Sequence, residues 1–391
     1  MDSDGDPDYY PYQTLYGLGY KNGSEAGAYF TVIANPSLKW ETQISTDIAL
    51  EFGLFDCLTG TIEYFKKDSK DLLFDVSQPA SVGVTSIIQN IGKVTNSGVE
   101  IELDYNAFKN KDWSVSVGAN ATFVKNKIKN LPATMKENGY ISGSKKWLEG
   151  KSIYEFWLCQ WHGVDPQTGD GLYVADVSKY NQGNIGTGDG NITQSQFDEY
   201  KKTVVTIDGK ELTNSYTYAK YDFSGSSIPD VFGGFNVRVS YKNFDLAAVF
   251  SYQLGGQVLD TNYATMMSMT EFGYAQSPDL LKAWKQAGDI TEVPRIDNSA
   301  AHTTNIGQSY STRWLTSSDY LNLRSVTIGY QFPKAWLSKV MLKSARLNLT
   351  AENLFMLKAR QGLNPMANYS GVTYNEYMPS RNITLGLNVS F

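Results

Sequence analysis

Apolar and polar side chains alternate with a period of two residues over much of this chain. At its carboxyl end, polar or small residues separate Ile383, Leu385, Leu387, Val389 and Phe391. Such a period places successive side chains on opposite faces of an extended chain, so each run predicts a β-strand with one apolar and one polar face. The pattern predicts eleven strands, at about 41–54, 58–68, 97–106, 112–127, 152–164, 170–177, 231–241, 244–253, 319–332, 344–354 and 382–391.

The segment YLNLRSVTIGYQF changes the phase of its alternation. Leu321 and Leu323 place the apolar side chains at odd positions, whereas from Val326 onward they stand at even positions. One extra residue near Arg324 and Ser325 would produce this shift, and it predicts a β-bulge.

Strand length and the order of the connections distinguish a membrane barrel from a soluble β-sandwich. Most predicted strands have about ten residues or more, whereas soluble strands usually have about 5–6 and a tilted strand needs about 9–11 to cross a bilayer. Short turns alternate with long connections, which places all long loops at one end of the strands. Outer-membrane barrels have this asymmetry, whereas a sandwich distributes long loops over both ends. The sequence predicts an all-β, antiparallel transmembrane β-barrel in a lipid bilayer.

The predicted number of strands is odd, whereas a bacterial single-chain barrel has an even number. An open sheet would leave unpaired strand edges in hydrocarbon, where no water satisfies them. The chain is therefore predicted to be the carboxyl-terminal half of a larger barrel. Doubling eleven strands gives about 22, the size of plugged outer-membrane transporters.

Composition and charge argue against several functional classes. The chain has 391 residues and a formal net charge of −6, so no basic surface indicates a nucleic-acid partner. Its two cysteines, Cys57 and Cys159, are too few for a disulfide framework or a zinc cage. The sequence contains no run of about 18 apolar residues and no recognisable secretory leader.

Seven short segments, taken in order, carry a family resemblance. They are NPSLKWE (Asn35 to Glu41), NIGKVTNSGVEIEL (Asn90 to Leu103), GVDPQTGDGLY (Gly163 to Tyr173), FGGFNVRVSYKNFDLAAVFSYQLGG (Phe232 to Gly256), SDYLNLRSVTIGYQFP (Ser318 to Pro333), RLNLTAENLF (Arg346 to Phe355) and the terminal GLNVSF. Together they resemble the SusC/RagA family of TonB-dependent (TonB-linked) outer-membrane transporters of the Bacteroidetes. The resemblance covers nearly the whole chain from about Tyr10.

The resemblance implies a barrel of about 22 strands, an amino-terminal plug, a segment that contacts TonB, and a SusD-like surface lipoprotein over the barrel mouth. The plug and the TonB-contacting segment have no match in this sequence. The domain prediction is an extracellular loop region over 1–40 and barrel strands over 41–391, with the plug absent from this chain. The implied location is the outer membrane of a Gram-negative cell, crossed several times.

The carboxyl-terminal residues suggest a further partner. Leu387, Val389 and the terminal aromatic Phe391 resemble the signal by which the outer-membrane assembly machinery recognises its clients. The prediction is therefore that these residues serve barrel assembly as well as lipid contact.

Aromatic residues in the predicted outside loops are the candidates for contact with substrate or partner protein. An aromatic face stacks on a sugar ring and packs equally well against peptide side chains; alternatively, it only orders its own loop. The candidates are Trp147, Tyr221, Phe223, Trp284, Trp314, Tyr369, Tyr374 and Tyr377.

Two long connections are predicted to contact the lipoprotein, because loops of such length are uncommon unless they are functional. They span 178–230 and 254–318. The second contains SPDLLKAWKQAG, which predicts a short helix with Ser277 as its N-cap and Gly288 just beyond its end.

No pattern supports catalysis. The only two histidines, His162 and His302, stand far apart, and no metalloprotease or nucleophile motif is present. TGDGNITQSQFDEY resembles half of a calcium loop, with Asp189 at position five, but Gln196 stands where a bidentate Glu belongs. Calcium at Asp189 is a weak candidate, and a Gly-rich turn is the default.

These observations predict an importer of nutrients, with oligosaccharides or oligopeptides as the cargo that the resemblance implies. Two alternatives remain open from the sequence. One is a passive porin, and the other is a surface adhesin or receptor that binds without transport.

Overall fold

The computed structural model describes residues 12–391 except 79, 85, 189, 270–272, 274, 368 and 375. The strands are β1 (Leu15–Asn22), β2 (Glu25–Val32), β3 (Thr42–Leu54), β4 (Leu58–Ser77), β5 (Ser86–Lys109), β6 (Trp113–Asn130), β7 (Tyr140–Ser142), β8 (Lys145–Trp147), β9 (Glu155–Cys159), β10 (Trp161–Val164), β11 (Gly171–Val174), β12 (Val204–Ile207), β13 (Lys210–Thr213), β14 (Tyr221–Ser226), β15 (Val231–Tyr241), β16 (Phe244–Leu254), β17 (Gln257–Leu259), β18 (Leu315–Ser317), β19 (Tyr320–Gln331), β20 (Ser344–Glu352), β21 (Met356–Lys358) and β22 (Asn382–Ser390). The helices are α1 (Gln194–Thr203), α2 (Thr261–Met266), α3 (Ala300–Ile306) and α4 (Lys334–Leu337). Single 3₁₀ turns lie at Ala80–Val82, Ala133–Met135, Gln182–Asn184, Tyr216–Tyr218, Pro278–Lys282, Thr312–Trp314 and Ser338–Val340.

One large antiparallel sheet, here called the wall, organises the chain. Nine of its strands follow one another as neighbours in the order β3, β4, β5, β6, β15, β16, β19, β20, β22, and β21 adds a tenth beside β19. Strands β3 and β22 form its two edges within the described residues. The predicted all-β, antiparallel barrel class is confirmed, because every wall pairing is antiparallel.

One face of the wall is a continuous apolar surface. A single row crosses six neighbouring strands, each residue paired in register with the next: Val115, Val239, Leu246, Ile328, Leu349 and Leu385. Leu385 keeps 69% of its surface exposed, although it belongs to a strand paired along its whole length. A strand face that is apolar and uncovered by protein is what lipid contact requires.

The opposite face of the wall is polar and carries side-chain bonds that reach across strands. Arg346 on β20 donates from Nη2 to Asp245 Oδ2 on β16, at 2.7 Å. The intervening strand β19 places Gly329 between them, where a Cβ would lie 2.6 Å from Asp245 Oδ1. Because Gly329 has no side chain, the guanidinium of Arg346 can extend across β19 to reach Asp245.

Aromatic side chains form a row beside the short turns of the wall. Trp113 and Tyr241 are register partners with ring centroids 4.3 Å apart, and Phe244 and Tyr330 are partners at 4.5 Å. The row lies at the strand ends nearest the short turns, where outer-membrane barrels place an aromatic girdle.

The predicted bulge is confirmed at Arg324. Val249 pairs with Ser325 and Phe250 pairs with Leu323, so Arg324 has no opposite residue on β16. The extra residue shifts the apolar residues of β19 from odd to even positions. The apolar side chains before and after the bulge therefore lie on the same face of the wall.

The prediction of strands at 152–164 and 170–177 was wrong for the wall. Those residues form the shorter strands β9, β10 and β11, which belong to two separate four-stranded sheets between β6 and β15. Their apolar side chains, such as Phe156 and Leu172, are buried against other loop residues. The wall has nine consecutive strands instead of eleven, and the directions of the remaining strands still alternate because the removed strands are a pair.

The predicted long connection at 69–96 is mostly a hairpin. Strands β4 and β5 remain paired from Leu58 with Tyr105 to Ser77 with Ser86, well beyond the length that a bilayer requires. Among the described residues, none of the helices has the length and apolar character needed to cross a membrane.

Neighbouring residues of β22 offer a test of the two faces. Leu385→Arg should destabilise the complete receptor in lipid by about 2–4 kcal/mol, because the apolar face would hold a charge in hydrocarbon. Thr384→Arg places the same side chain on the polar face and should cost less than about 1 kcal/mol. Urea unfolding in lipid vesicles measures both. Equal costs would contradict the assignment of the faces.

Gly329→Ala should also destabilise the receptor, by about 1 kcal/mol, because its Cβ displaces Arg346 from Asp245. Gly386 lies in the same cross-strand row, and a Cβ added to it would have no atom within 4 Å, so Gly386→Ala is the matched control. Unfolding midpoints that shift alike in both variants would refute the crossing role of Gly329.

Candidate functional site

The long connections of the wall pack into one structure, here called the loop body, made of the described residues of 131–230, 255–319 and 359–381. Its central apolar cluster joins all three: Phe156 and Leu158 from the first, Leu259 and Trp314 from the second, and Val372 from the third. Because this cluster buries apolar side chains of all three segments against one another, long-range contacts hold the loop body together.

Backbone hydrogen bonds reinforce this packing. Leu259 N donates to Gly371 O at 2.7 Å, and Thr373 N donates to Leu259 O at 3.1 Å. Cys159 N donates to Tyr310 O at 3.0 Å, which joins the first segment to the second. These bonds fix the relative positions of strands that are far apart in sequence.

A buried ion pair joins the second and third segments. Asp260 is 4% exposed, accepts from Tyr263 N at 2.9 Å as the N-cap of α2, and accepts from Thr373 Oγ1 at 3.2 Å. Its other oxygen pairs with Arg360, whose guanidinium carbon lies 3.5 Å above the ring centroid of Tyr263. Burial lowers the pKa of Arg360, and the carboxylate offsets that penalty.

Two further cations are buried against aromatic rings of the loop body. Burial lowers the pKa of Arg313 to about 10, and its guanidinium lies 4.7 Å from the ring of Trp161 and 4.3 Å from that of Trp314. Burial lowers the pKa of Lys145 to about 7, and its Nζ donates to Tyr154 O at 2.9 Å. Both cations stabilise loop packing through contacts inside the chain.

A small unit of sheet and helix forms part of the first segment. Strands β10, β11, β13 and β12 form a sheet, and α1 packs on it through Phe197 and Tyr200. Thr193 caps α1: its Oγ1 accepts from Gln196 N at 3.2 Å, and its own N donates to Gln196 Oε1 at 2.8 Å. Gln196, the twelfth position of the calcium-loop resemblance, thus serves a capping box.

The calcium candidate Asp189 lies outside the described residues. Gly190 beside it has a positive φ of 82°, and Asn191 N donates to Gly188 O at 3.0 Å, which describes a tight glycine turn. Calcium at this turn stays a prediction.

The predicted helix at 277–288 was largely wrong. Ser277 does act as an N-cap, accepting from Asp279 N at 3.3 Å, but the turn is a 3₁₀ helix that ends at Lys282. Trp284 then donates from its backbone N to Val293 O at 3.0 Å, so an extended contact replaces the next helical turn.

Five of the predicted contact aromatics hold the loop body together. Trp314 is 4% exposed and donates from Nε1 to Gln308 O, whereas half-buried Trp284 donates from Nε1 to Pro166 O. Trp147 packs edge-on against Phe74 at the base of the loops. Tyr221 and Phe223 on β14 contact the buried cluster of Cys159 and Tyr173 and the ring of Trp157, respectively.

The other predicted aromatics stand at the surface of the third segment. Tyr369, Tyr374 and Tyr377 are 79%, 67% and 96% exposed. These three are the candidates that a ligand or partner protein can reach directly. Their role in contact stays a prediction, as does the assembly role of Leu387, Val389 and Phe391 at the end of the chain.

A cavity of about 370 Å³ lies where the polar face of the wall meets the loop body. The wall contributes Asn96, Val124, Phe232 and Gln253, and the loop body contributes residues that include Tyr154, Gln257 and Tyr369. Its volume falls within the range of about 300–1,000 Å³ that is common for ligand sites.

Sequence reasoning missed most residues of this cavity. The alternation of β16 does place Gln253 on the polar face, so the sequence predicts the orientation of this one side chain. Gln257 follows Gln253 closely, but Tyr154 and Tyr369 lie roughly a hundred residues away in the sequence, and no local pattern indicates which loop residues fold over Gln253.

The comparisons with known proteins agree with this architecture. Residues 6–158 match the family model described as TonB dependent receptor-like, beta-barrel. TonB-dependent receptor P3 of Formosa agariphila is 28% identical over 411 residues, which cover 99% of this chain and 38% of that protein. SusC of Bacteroides thetaiotaomicron is 24% identical over 372 residues, covering 91% of this chain and 32% of that protein.

A solved structure of the RagAB peptide importer, in a closed-closed state, superposes with a TM-score of 0.74 at 25% identity, covering 98% of this chain and 39% of that one. The chain thus spans about two fifths of the length of the relatives it matches, 38% of the receptor from Formosa agariphila and 39% of the RagAB chain. The chain is thus similar over most of its length to TonB-dependent receptors, with relatives of the SusC and RagA type, and its residues 6–158 match the β-barrel model of that family.

Proposed function

We propose that this chain supplies part of the barrel wall and the ligand-facing loops of a nutrient importer in the outer membrane of a Gram-negative cell. The observation that carries the proposal is the wall itself, apolar and uncovered on one face, polar on the other, and joined to a packed loop body at one rim only. A channel with a selective outer mouth needs these features.

The rest of the machinery is proposed by similarity. Energy would come through TonB, which would contact a plug region outside this chain. A SusD-like lipoprotein would cover the loop body, and the exposed Tyr374 and Tyr377 would lie in that contact or face the cargo. The cargo is proposed to be an oligosaccharide or an oligopeptide. The relatives reported above are named as receptors and importers rather than as enzymes.

Uptake by cells that carry the complete receptor tests this proposal. Wild-type cells should take up labelled oligosaccharides and oligopeptides, and uptake should fall at least about 10-fold when either the receptor or TonB is deleted. Uptake that continues without TonB would indicate a passive porin. Surface binding without uptake would indicate an adhesin or receptor, and either result would overturn the proposal.

The ion pair of Asp260 and Arg360 should keep the loop body closed. Arg360→Met leaves a buried carboxylate unpaired and should lower the free energy of local opening by about 3 kcal/mol. Hydrogen exchange of 259–267 and 369–374 in the complete receptor measures the change.

A double variant supplies the control for this prediction. Asp260→Asn together with Arg360→Met removes both charges but keeps the N-cap of α2, so it should recover part of the protection. Exchange that stays at the wild-type rate in Arg360→Met would show that the ion pair does not hold the segments together.

A further inference from the structure

Five lysines form a cluster, here called the lysine patch, on three neighbouring strands of the wall. They are Lys66 and Lys70 on β4, Lys93 on β5, and Lys125 and Lys127 on β6. Register pairing arranges them in three rows: Lys66, Ser97 and Lys125; then Asp68, Thr95 and Lys127; then Lys70 and Lys93. The rows follow one another toward the long loops. The patch contrasts with the formal net charge of −6 of the whole chain.

The lysine patch continues the apolar, uncovered face of the wall. The next row toward the short turns consists of register partners on the same three strands, Tyr64, Val99 and Phe123. Tyr64 is 45% and Phe123 is 43% exposed. Side chains two positions apart on a strand point to the same face, so Lys66 shares the face of Tyr64, and Lys125 shares that of Phe123. The lipid-facing surface therefore changes from aromatic to cationic within one row.

The position of this change matches the edge of a bilayer. Trp113, in the aromatic row beside the short turns, precedes Lys125 by twelve positions on β6. Twelve residues at about 3.3 Å each span about 40 Å along a strand, and a tilt of about 40° reduces this to about 30 Å across the membrane. The hydrocarbon core is about 30 Å thick. Lys125 therefore lies where the lipid headgroups begin on the side of the long loops.

One carboxylate organises part of the patch. Asp68 Oδ2 lies 3.6 Å from Lys66 Nζ and 3.7 Å from Lys93 Nζ. Its Oδ1 accepts from Thr95 Oγ1 at 2.6 Å, which fixes the carboxylate between the two ammonium groups. Asp68 thus holds lysines of two strands toward each other.

Most of the positive charge stays unbalanced among the described residues. Lys70 and Lys93 stand directly opposite each other, and like charges in that arrangement destabilise a sheet. Within the part of the chain that the structure describes, Lys70, Lys125 and Lys127 form no ion pair. Five lysines and one carboxylate leave a formal charge of +4 in the three rows. An anion bound here would relieve this repulsion.

Small side chains leave room for such an anion between the lysines. Ser97 separates Lys66 from Lys125 in the first row, and neighbouring strands about 4.8 Å apart place the two lysine backbones about 10 Å apart. Each ammonium group has three donors on a flexible stem, and the serine hydroxyl adds another donor. Two lysines can therefore reach one phosphate over the serine.

We propose that the lysine patch binds the phosphate of a glycolipid in the outer leaflet, whose acyl chains lie on the row of Tyr64, Val99 and Phe123. The outer leaflet of a Gram-negative outer membrane consists largely of phosphorylated glycolipid. Its phosphates lie at the depth of Lys125, and clusters of basic residues at a membrane surface attract anionic headgroups. The inference rests on the proposed location in the outer membrane and adds a lipid partner to it.

Native mass spectrometry of the complete receptor, purified in neutral detergent and incubated with defined probes, tests the patch. The probes are phosphorylated lipid A, lipid A without phosphate, and inorganic phosphate. Wild type should retain phosphorylated lipid A above the other two. Joint Lys66→Gln, Lys125→Gln and Lys127→Gln should raise its Kd at least about 10-fold, because each lysine near an anionic headgroup contributes about 5-fold. Lys125→Gln alone should raise the Kd about 5-fold, and it supplies the test if the triple variant does not fold.

Two triple variants are the controls. Lys109→Gln, Lys111→Gln and Lys343→Gln remove the same charge from exposed positions near the short turns and should leave the Kd unchanged. Arginine at the three substituted patch positions keeps the charge and should bind within about 3-fold of wild type. The inference would be overturned by equal retention of lipid A without phosphate, by equally tight binding of inorganic phosphate, or by glutamine variants of the patch that bind like wild type.

Uptake by cells that carry the complete receptor separates the two proposals. TonB-dependent uptake of a nutrient by a receptor that does not retain phosphorylated lipid A would refute the lipid site and leave the importer standing. Retention that depends on the patch, together with no TonB-dependent uptake of any nutrient, would refute the importer and leave the lipid site.

Discussion

The structure depends on one constraint, the pairing of every backbone N–H and C=O group that faces hydrocarbon. A bilayer offers no water, so strands must exchange these bonds with neighbours along their whole crossing length. The wall meets this condition by a meander in which consecutive strands pair antiparallel, as in the uninterrupted register of β15 with β16. From that pairing follow the two faces, since the side chains can point only toward lipid or toward the lumen.

Side chains on the lumenal face form contacts with residues of other strands. Glycines on this face leave space for such contacts, because they have no side chain. Arg346 reaches Asp245 over Gly329. Gly118 likewise lies between two polar side chains, since its Cβ would be 2.6 Å from both Asp104 Oδ1 and Asn236 Nδ2. The bond between Arg346 and Asp245 joins β20 to β16, which are not direct neighbours, so it adds a longer connection to a sheet whose backbone bonds are all between nearest neighbours.

The loop body follows a different principle from the wall. Its segments are anchored at the same rim, and their central apolar residues are buried by packing on one another. The ion pair of Asp260 and Arg360 and the bonds of Leu259 tie two segments in register. A cavity of about 370 Å³ remains where this packed body meets the polar face of the wall. Contacts between loop segments therefore determine the structure of the loop body, whereas strand pairing determines the structure of the wall.

The sequence by itself determined what is local. Period-two alternation located all nine consecutive wall strands, and a change of phase located the bulge at Arg324, because both depend on which side of the strand each residue faces. Alternation does not indicate whether lipid or protein covers the apolar face of a strand. Strands β9 to β11 bury their apolar side chains against loop residues, and they were therefore wrongly predicted as wall strands. The tertiary structure alone decided that Trp314 is buried and Tyr377 exposed, and that Tyr154 meets Gln253 at one cavity. Those facts arise from contacts such as Trp161 N to Thr312 Oγ1, between residues 151 positions apart, and no local pattern encodes such a contact.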